Sequence, residues 1–100
     1  MSEIVMSMDE RWIPDIERGD KTATTRTKRK GSVGDTFVLN GRRYVLTRVL
    51  PQPLWAATGL FYESEGFRSA DEFKDALLSY YPDIDDGTVV YIHFFREAME

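Results

Sequence analysis

The Asn40–Gly41 pair constrains the fold of this chain more than any other feature, because both residues tolerate the positive φ of a two-residue hairpin turn. Residues 36–39 precede the pair, and residues 42–50 follow it with the alternating side chains typical of a strand. The two segments are therefore predicted to pair as an antiparallel hairpin. Pro51 and Pro53 are expected to end the second strand, since proline cannot donate a hydrogen bond to a sheet.

Three further strands are predicted from the residue types in their segments, and a fourth segment is ambiguous. Residues 22–27 are mostly β-branched, which predicts a strand. Residues 88–95 are apolar on both faces, as is typical of a central strand in a closed or covered sheet. Residues 3–7 are predicted to form a short edge strand, whereas residues 54–64 fit a strand and a helix equally well.

Two helices are predicted from the residues that favour helix ends. The first spans roughly residues 10–18 and places Gly19 where a C-cap requires a left-handed residue. The second begins at a capping box formed by Ser69 and Glu72, and it ends at Tyr81-Pro82. Its buried face is predicted to consist of Phe73, Ala76, Leu77 and Tyr80.

The elements follow one another in the order helix, strand, basic loop, hairpin, helix and strand. This order predicts an α+β fold in which short strands form a small β-barrel and two or three helices close its ends. One hundred residues leave room for one core, so residues 1–100 are predicted to form a single domain.

The composition excludes several classes of protein. The chain has no cysteine, which excludes disulfides and thiolate metal sites, and its single histidine argues against a zinc enzyme. We therefore predict no metal and no cofactor. No segment approaches the ~20 apolar residues of a membrane span, and the acidic start of the chain is unlike a signal peptide. A cytoplasmic protein without a membrane partner is expected, and a monomer is favoured.

The charges are strongly sorted along the chain. Residues 18–48 hold nine basic residues against two acidic ones, whereas residues 49–100 hold three basic residues against ten acidic ones. A positive groove on an otherwise acidic protein would suit a phosphate or a short single strand of RNA. A solvated basic face without a ligand explains the same pattern, and the sequence alone does not separate the two.

The densest cluster of reactive side chains lies at residues 19–26. Strand alternation places Thr22, Thr24 and Arg26 on one face, and Lys21 at the bend can curl back towards the Thr24 hydroxyl. A partly buried lysine can act as a general base, and a threonine beside it is a candidate nucleophile for acyl transfer. An ordinary threonine-rich strand with a surface lysine is the alternative.

Glu63 and Glu65 form a second candidate group, just before the capped helix. A carboxylate there can pair with Lys21 or move a proton, although carboxylates in acidic loops are usually solvated. His93 has the same strand parity as Tyr91 and Phe95, so a packed histidine is expected rather than a catalytic one. The two tryptophans fit base stacking and ordinary packing equally well.

Read together, these segments resemble the ASCH family, whose domains have a PUA-like fold and carry the signature G-x-K-x-x-E-x-R. The signature matches at Gly19, Lys21 and Arg26, with Thr24 where many members have glutamate. The resemblance continues through nearly the whole chain. Its later landmarks are the turn Gly34-Asp35, the segment Glu65-Gly66-Phe67, the helix end Tyr81-Pro82 and the final apolar strand.

The threonine at position 24 is similar to one group of small ASCH proteins, the N4-acetylcytidine amidohydrolases, which carry G-x-K-T-x-T-x-R. This resemblance implies Lys21, Thr24 and Glu65 as the catalytic set, with Glu63 as the alternative carboxylate. It implies an acylated cytidine as the substrate. The candidate substrate- or RNA-binding residues are Arg26, Lys28, Arg29 and Glu63.

Two other functions stay open at this stage. PUA-like domains often bind RNA without catalysis, and Lys28, Arg29 and Lys30 would then supply the phosphate contacts. Cleavage of single-stranded RNA is the third possibility, but the sequence offers no histidine pair or metal site for that reaction. A nucleoside or single-stranded RNA is thus the expected partner.

Overall fold

The computed structural model describes residues 2–99. It contains a 3-10 turn, three α-helices and four β-strands. In chain order these are the turn Glu10–Trp12, α1 Ile13–Arg18, β1 Ala23–Arg26, β2 Thr36–Leu39, β3 Arg42–Pro53, α2 Leu54–Phe61, α3 Ala70–Tyr80 and β4 Val89–Glu97.

The four strands form one curled antiparallel sheet in the order β1-β4-β3-β2. The most apolar strand, β4, lies between β1 and β3, as its pattern predicts. A bulge between Leu46 and Arg48 shifts the register of β3 against β4, and such bulges bend and twist a sheet. The result is a half-barrel accompanied by three helices. The predicted α+β fold with a small barrel-like sheet is confirmed.

The hairpin forms as predicted, but β3 is longer than expected. Asn40 and Gly41 have φ values of 49° and 79°, which the turn requires. The predicted strand end at residue 50 is three residues early, because β3 continues through Pro51 and ends at Pro53. In the part of the chain that the structure describes, β2 pairs only as far as Val45, so both prolines lie where β3 has an unpaired edge. An edge strand tolerates proline because the missing N–H would have no partner there.

The helix ends follow their local signals. Gly19 closes α1 with a φ of 83°, and its N–H donates to the Asp15 and Ile16 carbonyls. Ser69 caps α3 by accepting a hydrogen bond from the Glu72 N–H. The ambiguous residues 54–64 form α2 and the turn after it.

Two sequence predictions for these regions need correction. Tyr80 is 51% exposed and Ala76 is only partly buried, whereas Phe73 and Leu77 are buried as predicted. Residues 3–7 do not form a strand, although Glu3 makes one isolated bridge to Thr36. A bridge of one residue buries too little surface to order an edge strand.

The core contains separate clusters on either side of a cavity. One cluster gathers Phe37, Tyr44 and Phe95, with Trp12 packed against it. Another gathers Leu54, Phe73 and Leu77 beneath the two longer helices, with Phe67 packed against it. Trp12 and Phe67 contact edge-to-face with their ring centroids 5.0 Å apart. This contact joins the two clusters at the wall of the cavity.

None of the helices within residues 2–99 is long and apolar enough to cross a membrane.

Candidate active site

A cavity of about 180 Å³ lies between β1, the turn after α2, helix α3 and the segment before the 3-10 turn. Its lining combines polar and mainly aromatic side chains. The polar side chains are those of Lys21, Thr24, Thr25, Arg26 and Glu65, with Ser7 and Asp9 nearby. The remaining lining is Trp12, Phe67, Phe73, Ala76, Leu77, Tyr80 and Tyr81.

Backbone hydrogen bonds bring the start of β1 to the turn that carries Glu65. The N–H groups of Thr22 and Ala23 both donate to the Ser64 carbonyl, at 2.7 and 3.1 Å. Gly66 then turns the chain with a φ of 89°, and a Cβ at this position would lie 3.5 Å from the Lys21 Cβ. Lys21 and Glu65 are therefore held side by side although they are far apart in the sequence.

Lys21 and Glu65 form a buried ion pair. The Lys21 Nζ donates to Glu65 Oε1 at 2.8 Å and to the Glu65 carbonyl at 3.0 Å, and both side chains are under 5% exposed. Burial raises the pKa of the Glu65 carboxyl above its ordinary value, and the Lys21 ammonium partly offsets this rise. The Lys21 Nζ also lies 5.0 Å from the centroid of the Trp12 ring, within the range of a cation–π contact.

The two threonine hydroxyls have different partners. The Thr25 hydroxyl donates to Glu65 Oε2 at 2.7 Å. The Thr24 Oγ1 instead accepts a hydrogen bond from the Arg26 guanidinium, also at 2.7 Å. Because Thr24 accepts this bond, its own hydrogen stays available to a base. Arg26 is held in turn by the Ser7 carbonyl.

The structure brings some of the predicted site residues together and separates others. Lys21, Thr24, Arg26 and Glu65 all line the cavity. Glu63 is exposed and lies outside the lining, so Glu65 is the carboxylate that meets Lys21. Among the predicted binding residues, Lys28 and Arg29 are exposed on the loop after β1 and also lie outside the lining.

Strand alternation gave an incomplete picture of β1. Thr22 lies before the strand and is exposed, whereas the unpredicted Thr25 is buried in the cavity. Thr25 has the opposite parity to Thr24, so the simple alternation argument excluded it. The expected approach of Lys21 to Thr24 is replaced by the contact of Lys21 with Glu65. The pattern of the sequence held no signal for the Thr25–Glu65 bond.

His93 is fully buried behind Thr24, in agreement with the expectation of a packed histidine. Its Nε2 accepts from the Lys30 N–H at 3.0 Å, and its Nδ1 lies 3.2 Å from the Thr24 carbonyl. Since an N–H only donates and a carbonyl only accepts, these partners assign a neutral ring with its proton on Nδ1. Burial lowers the pKa of His93, which favours the same neutral form.

The two tryptophans have different environments. Trp12 lines the cavity, whereas Trp55 is 64% exposed on α2 and lies away from the lining. Trp12 is thus the one placed to stack on a ligand in the cavity. Within residues 2–99, no three His, Cys, Asp or Glu side chains form a group that could hold a metal ion.

Solved structures share this architecture. The crystal structure of an ASCH domain from Lactobacillus crispatus JV V101 superposes with a TM-score of 0.78 and 15% identity, over 96% of this chain and 78% of that one. The chain has an ASCH-domain fold.

Two further solved structures have a similar architecture. The hypothetical protein PH0355 matches with a TM-score of 0.78 and 16% identity, over 98% of this chain and 100% of that one. Protein EF3133 from Enterococcus faecalis V583 matches with a TM-score of 0.65 and 19% identity, over 97% and 78% of the respective chains. No protein-family model and no curated protein matches this sequence.

Proposed function

We propose that this protein is an amidohydrolase that removes the acyl group from the exocyclic N4 nitrogen of an acylated cytidine, such as N4-acetylcytidine. The observation that carries the proposal is the buried Lys21–Glu65 pair, which shares one small cavity with the Thr24 hydroxyl. A desolvated acid and base beside a hydroxyl are the groups that acyl transfer through a covalent intermediate requires.

The first half of the reaction forms an ester on Thr24. A proton passes from Lys21 Nζ to Glu65 Oε1 along their 2.8 Å hydrogen bond, which leaves a neutral amine and a neutral carboxylic acid. The neutral Lys21 amine then turns from Glu65 towards Thr24, which lines the same cavity, and accepts the Thr24 hydroxyl proton while Thr24 Oγ1 attacks the acyl carbonyl carbon. Arg26 already donates to Thr24 Oγ1, so its guanidinium lies close enough to stabilise the tetrahedral oxyanion.

The second half releases the products and restores the site. The C–N4 bond breaks as Glu65 gives its proton to the leaving N4 amine, and cytidine departs. Water then attacks the ester, the Glu65 carboxylate accepts the water proton, and Lys21 returns a proton to Thr24 Oγ1. The proton on Glu65 then passes back to Lys21 and restores the ion pair. The carboxylic acid leaves, and one water has been consumed for each acyl group removed.

The cavity suits an acylated base in size and lining. Its volume of about 180 Å³ is below the roughly 300–1,000 Å³ of pockets that enclose drug-sized ligands, so it fits a base while the sugar stays at the mouth. Trp12 and Phe67 offer ring faces and edges for a planar base. The polar cluster, whose Lys21 lies next to these rings, then meets the acyl amide.

The experiment that tests the proposal follows cytidine release from N4-acetylcytidine by chromatography. We expect release by the wild-type protein and a loss of at least about a thousandfold in Thr24→Val, because a nucleophile has no substitute in a covalent route. Thr22→Val is the matched control, since Thr22 belongs to the same motif but is exposed. Full activity of Thr24→Val, or none in the wild type at high enzyme concentration, would refute the assignment.

A second candidate function is RNA binding without catalysis, and one observation favours it. Lys28, Arg29 and Lys30 are all exposed on one loop, and the Lys30 backbone is anchored to His93 directly behind Thr24. Three solvated cations on an anchored loop are suited to phosphate contacts. Salt-dependent binding of single-stranded RNA that weakens when all three residues are changed to alanine tests this candidate.

A further inference from the structure

We propose that Thr25 is a positioning residue for Glu65, whose hydroxyl holds the second carboxylate oxygen and directs the shared proton of the Lys21–Glu65 pair to Oε1. The catalytic part of this role rests on the proposed amidohydrolase activity. The effect of Thr25 on the Glu65 carboxylate can be measured without substrate.

The geometry of the carboxylate supports this role. Glu65 is buried, and its two oxygens have different donors: Oε1 accepts from Lys21 at 2.8 Å and Oε2 accepts from Thr25 at 2.7 Å. Thr25 is itself only 3% exposed, so its hydroxyl is shielded from solvent that would compete for the bond. The two donors together fix the plane of the carboxylate against the cavity.

The Thr25 bond also selects where a proton can reside. The hydroxyl oxygen of a carboxylic acid is a weaker acceptor than a carboxylate or carbonyl oxygen, so protonation of Oε2 would weaken the bond that Thr25 donates. Protonation of Oε1 leaves the bond intact. The proton that Glu65 exchanges with Lys21 is therefore kept on the oxygen that faces the lysine.

The consequence for catalysis concerns the number of protons on the pair. The reaction needs a single proton that Lys21 and Glu65 share. The lysine is then neutral when the glutamate is protonated. A hydrogen bond from Thr25 stabilises the charged carboxylate against its burial. Without that bond, Glu65 retains its own proton at higher pH, Lys21 stays charged, and the pair cannot act as a base.

Thr25→Val removes the hydroxyl with little change in side-chain volume, and Thr25→Ser keeps it. Protein labelled with carbon-13 at the glutamate carboxyl reports the titration of Glu65, with Glu65→Gln used to assign its resonance. We expect the resonance to titrate about one pH unit higher in Thr25→Val and to return close to its wild-type position in Thr25→Ser. An unmoved titration in Thr25→Val would overturn the proposal.

The pH profile of kcat/KM on N4-acetylcytidine provides the second readout. We expect the acidic limb to move to higher pH by a similar amount in Thr25→Val, with Thr25→Ser restoring it. An equal loss at every pH would show a merely structural role and overturn the proposal. Abolished activity with an unmoved titration would make Thr25 a chemical participant, which also overturns it.

The two proposals fail in different ways. If the wild type releases no cytidine while the Glu65 resonance still moves in Thr25→Val, the amidohydrolase is wrong and the positioning role of Thr25 stands. Thermal unfolding of each variant checks that the fold is retained. Thr25→Ala serves as a second hydroxyl-free variant if Thr25→Val does not fold.

Discussion

Lys21 and the cations of the basic loop, which we define as Lys28, Arg29 and Lys30, are close in sequence but occupy opposite environments. Lys21 is buried against Glu65 and two aromatic rings. The basic-loop side chains are exposed to solvent. Both charges of a buried pair lose their solvation. This loss costs free energy in the folded protein and makes the two groups reactive. Solvated cations cost the folded protein little free energy, and they attract anions over a distance through their electrostatic field.

The comparison shows that local charge density does not identify the chemistry of a residue. Within one basic stretch, the turn at Gly19 directs Lys21 inwards, while the chain after β1 leaves the loop cations in solvent. Chemistry is expected from the first region, and salt-dependent attraction of a nucleic acid from the second. Each of the following predictions tests one side of that division.

The largest expected effect is on stability when the buried pair is broken. Lys21→Met leaves an unpaired buried carboxylate, and Glu65→Leu leaves an unpaired buried ammonium, so each should lower the free energy of unfolding by about 3–5 kcal/mol. The double variant Lys21→Met/Glu65→Leu should lose much less than the sum of the two, because no lone charge remains. Urea unfolding followed by circular dichroism measures all three.

The matched control is the basic loop changed to alanine at all three positions. Exposed charges contribute little, so each substitution should alter the free energy of unfolding by no more than about 0.5 kcal/mol. The distinction between the two regions would be wrong if the free energies lost in the two single variants simply added in the double variant. It would also be wrong if the loop variant lost more free energy of unfolding than the variants of the buried pair.

The second prediction concerns RNA affinity and its dependence on salt. Each cation that neutralises a phosphate of single-stranded RNA contributes about 0.7 to the slope of log K against log salt. The triple alanine variant of the basic loop should therefore reduce that slope by about 2 if all three side chains contact phosphates. Fluorescence anisotropy with a labelled single strand at several salt concentrations gives the slope.

The double variant Lys21→Met/Glu65→Leu is the control for this measurement, because it leaves no lone buried charge and the two buried side chains make no contact with solvent-side phosphates. Its slope should equal that of the wild type. A slope that is small in the wild type and unchanged in the triple variant would remove RNA as the partner of the loop.

Much of the fold could be predicted because its signals are local. Gly19 ends a helix and Asn40–Gly41 closes a hairpin for reasons contained in a few residues. The errors arise where the decisive fact is tertiary. Within the described residues, Pro51 is tolerated in β3 because only β4 pairs with that part of the strand and the opposite edge is unpaired. Tyr80 is exposed at the last turn of α3, where its hydroxyl bonds the Asp9 and Arg11 side chains.

The candidate site shows the same limit. The motif places Lys21 and Thr24 close together, and the resemblance to the ASCH family supplied Glu65 from a distant turn. The preference for Glu65 over Glu63 and the position of Thr25 depend on the turn at Gly66, which sets where the carboxylate points. A pattern of alternating residues cannot contain that information.

The smallest expected effect concerns His93, which joins the two regions by linking the Thr24 carbonyl to the Lys30 N–H. Burial lowers the pKa of His93 in the folded protein below its ordinary value of 6.5, and the nearby Arg26 and Arg29 act in the same direction. The unfolded chain therefore binds a proton at a higher pH than the folded chain does. The stabilising contribution of neutral His93 is present above pH 6.5 and is lost as the pH falls below it.

Between pH 6.5 and 5.5 this histidine should lower the free energy of unfolding by at most about 1 kcal/mol, the bound for one group with an ordinary pKa of 6.5 in the unfolded chain. His93→Gln keeps one donor and one acceptor but does not titrate, so its stability should change less over the same interval. Urea unfolding of both proteins at pH 7.5, 6.5 and 5.5 measures the difference. Glu65, with its raised pKa, changes stability in the opposite direction in both proteins, so the difference isolates His93. Parallel pH dependences would show that His93 binds its proton over the same pH range in the folded and unfolded chains. Nε2 of the protonated ring could then not accept the Lys30 N–H that anchors the basic loop behind the cavity.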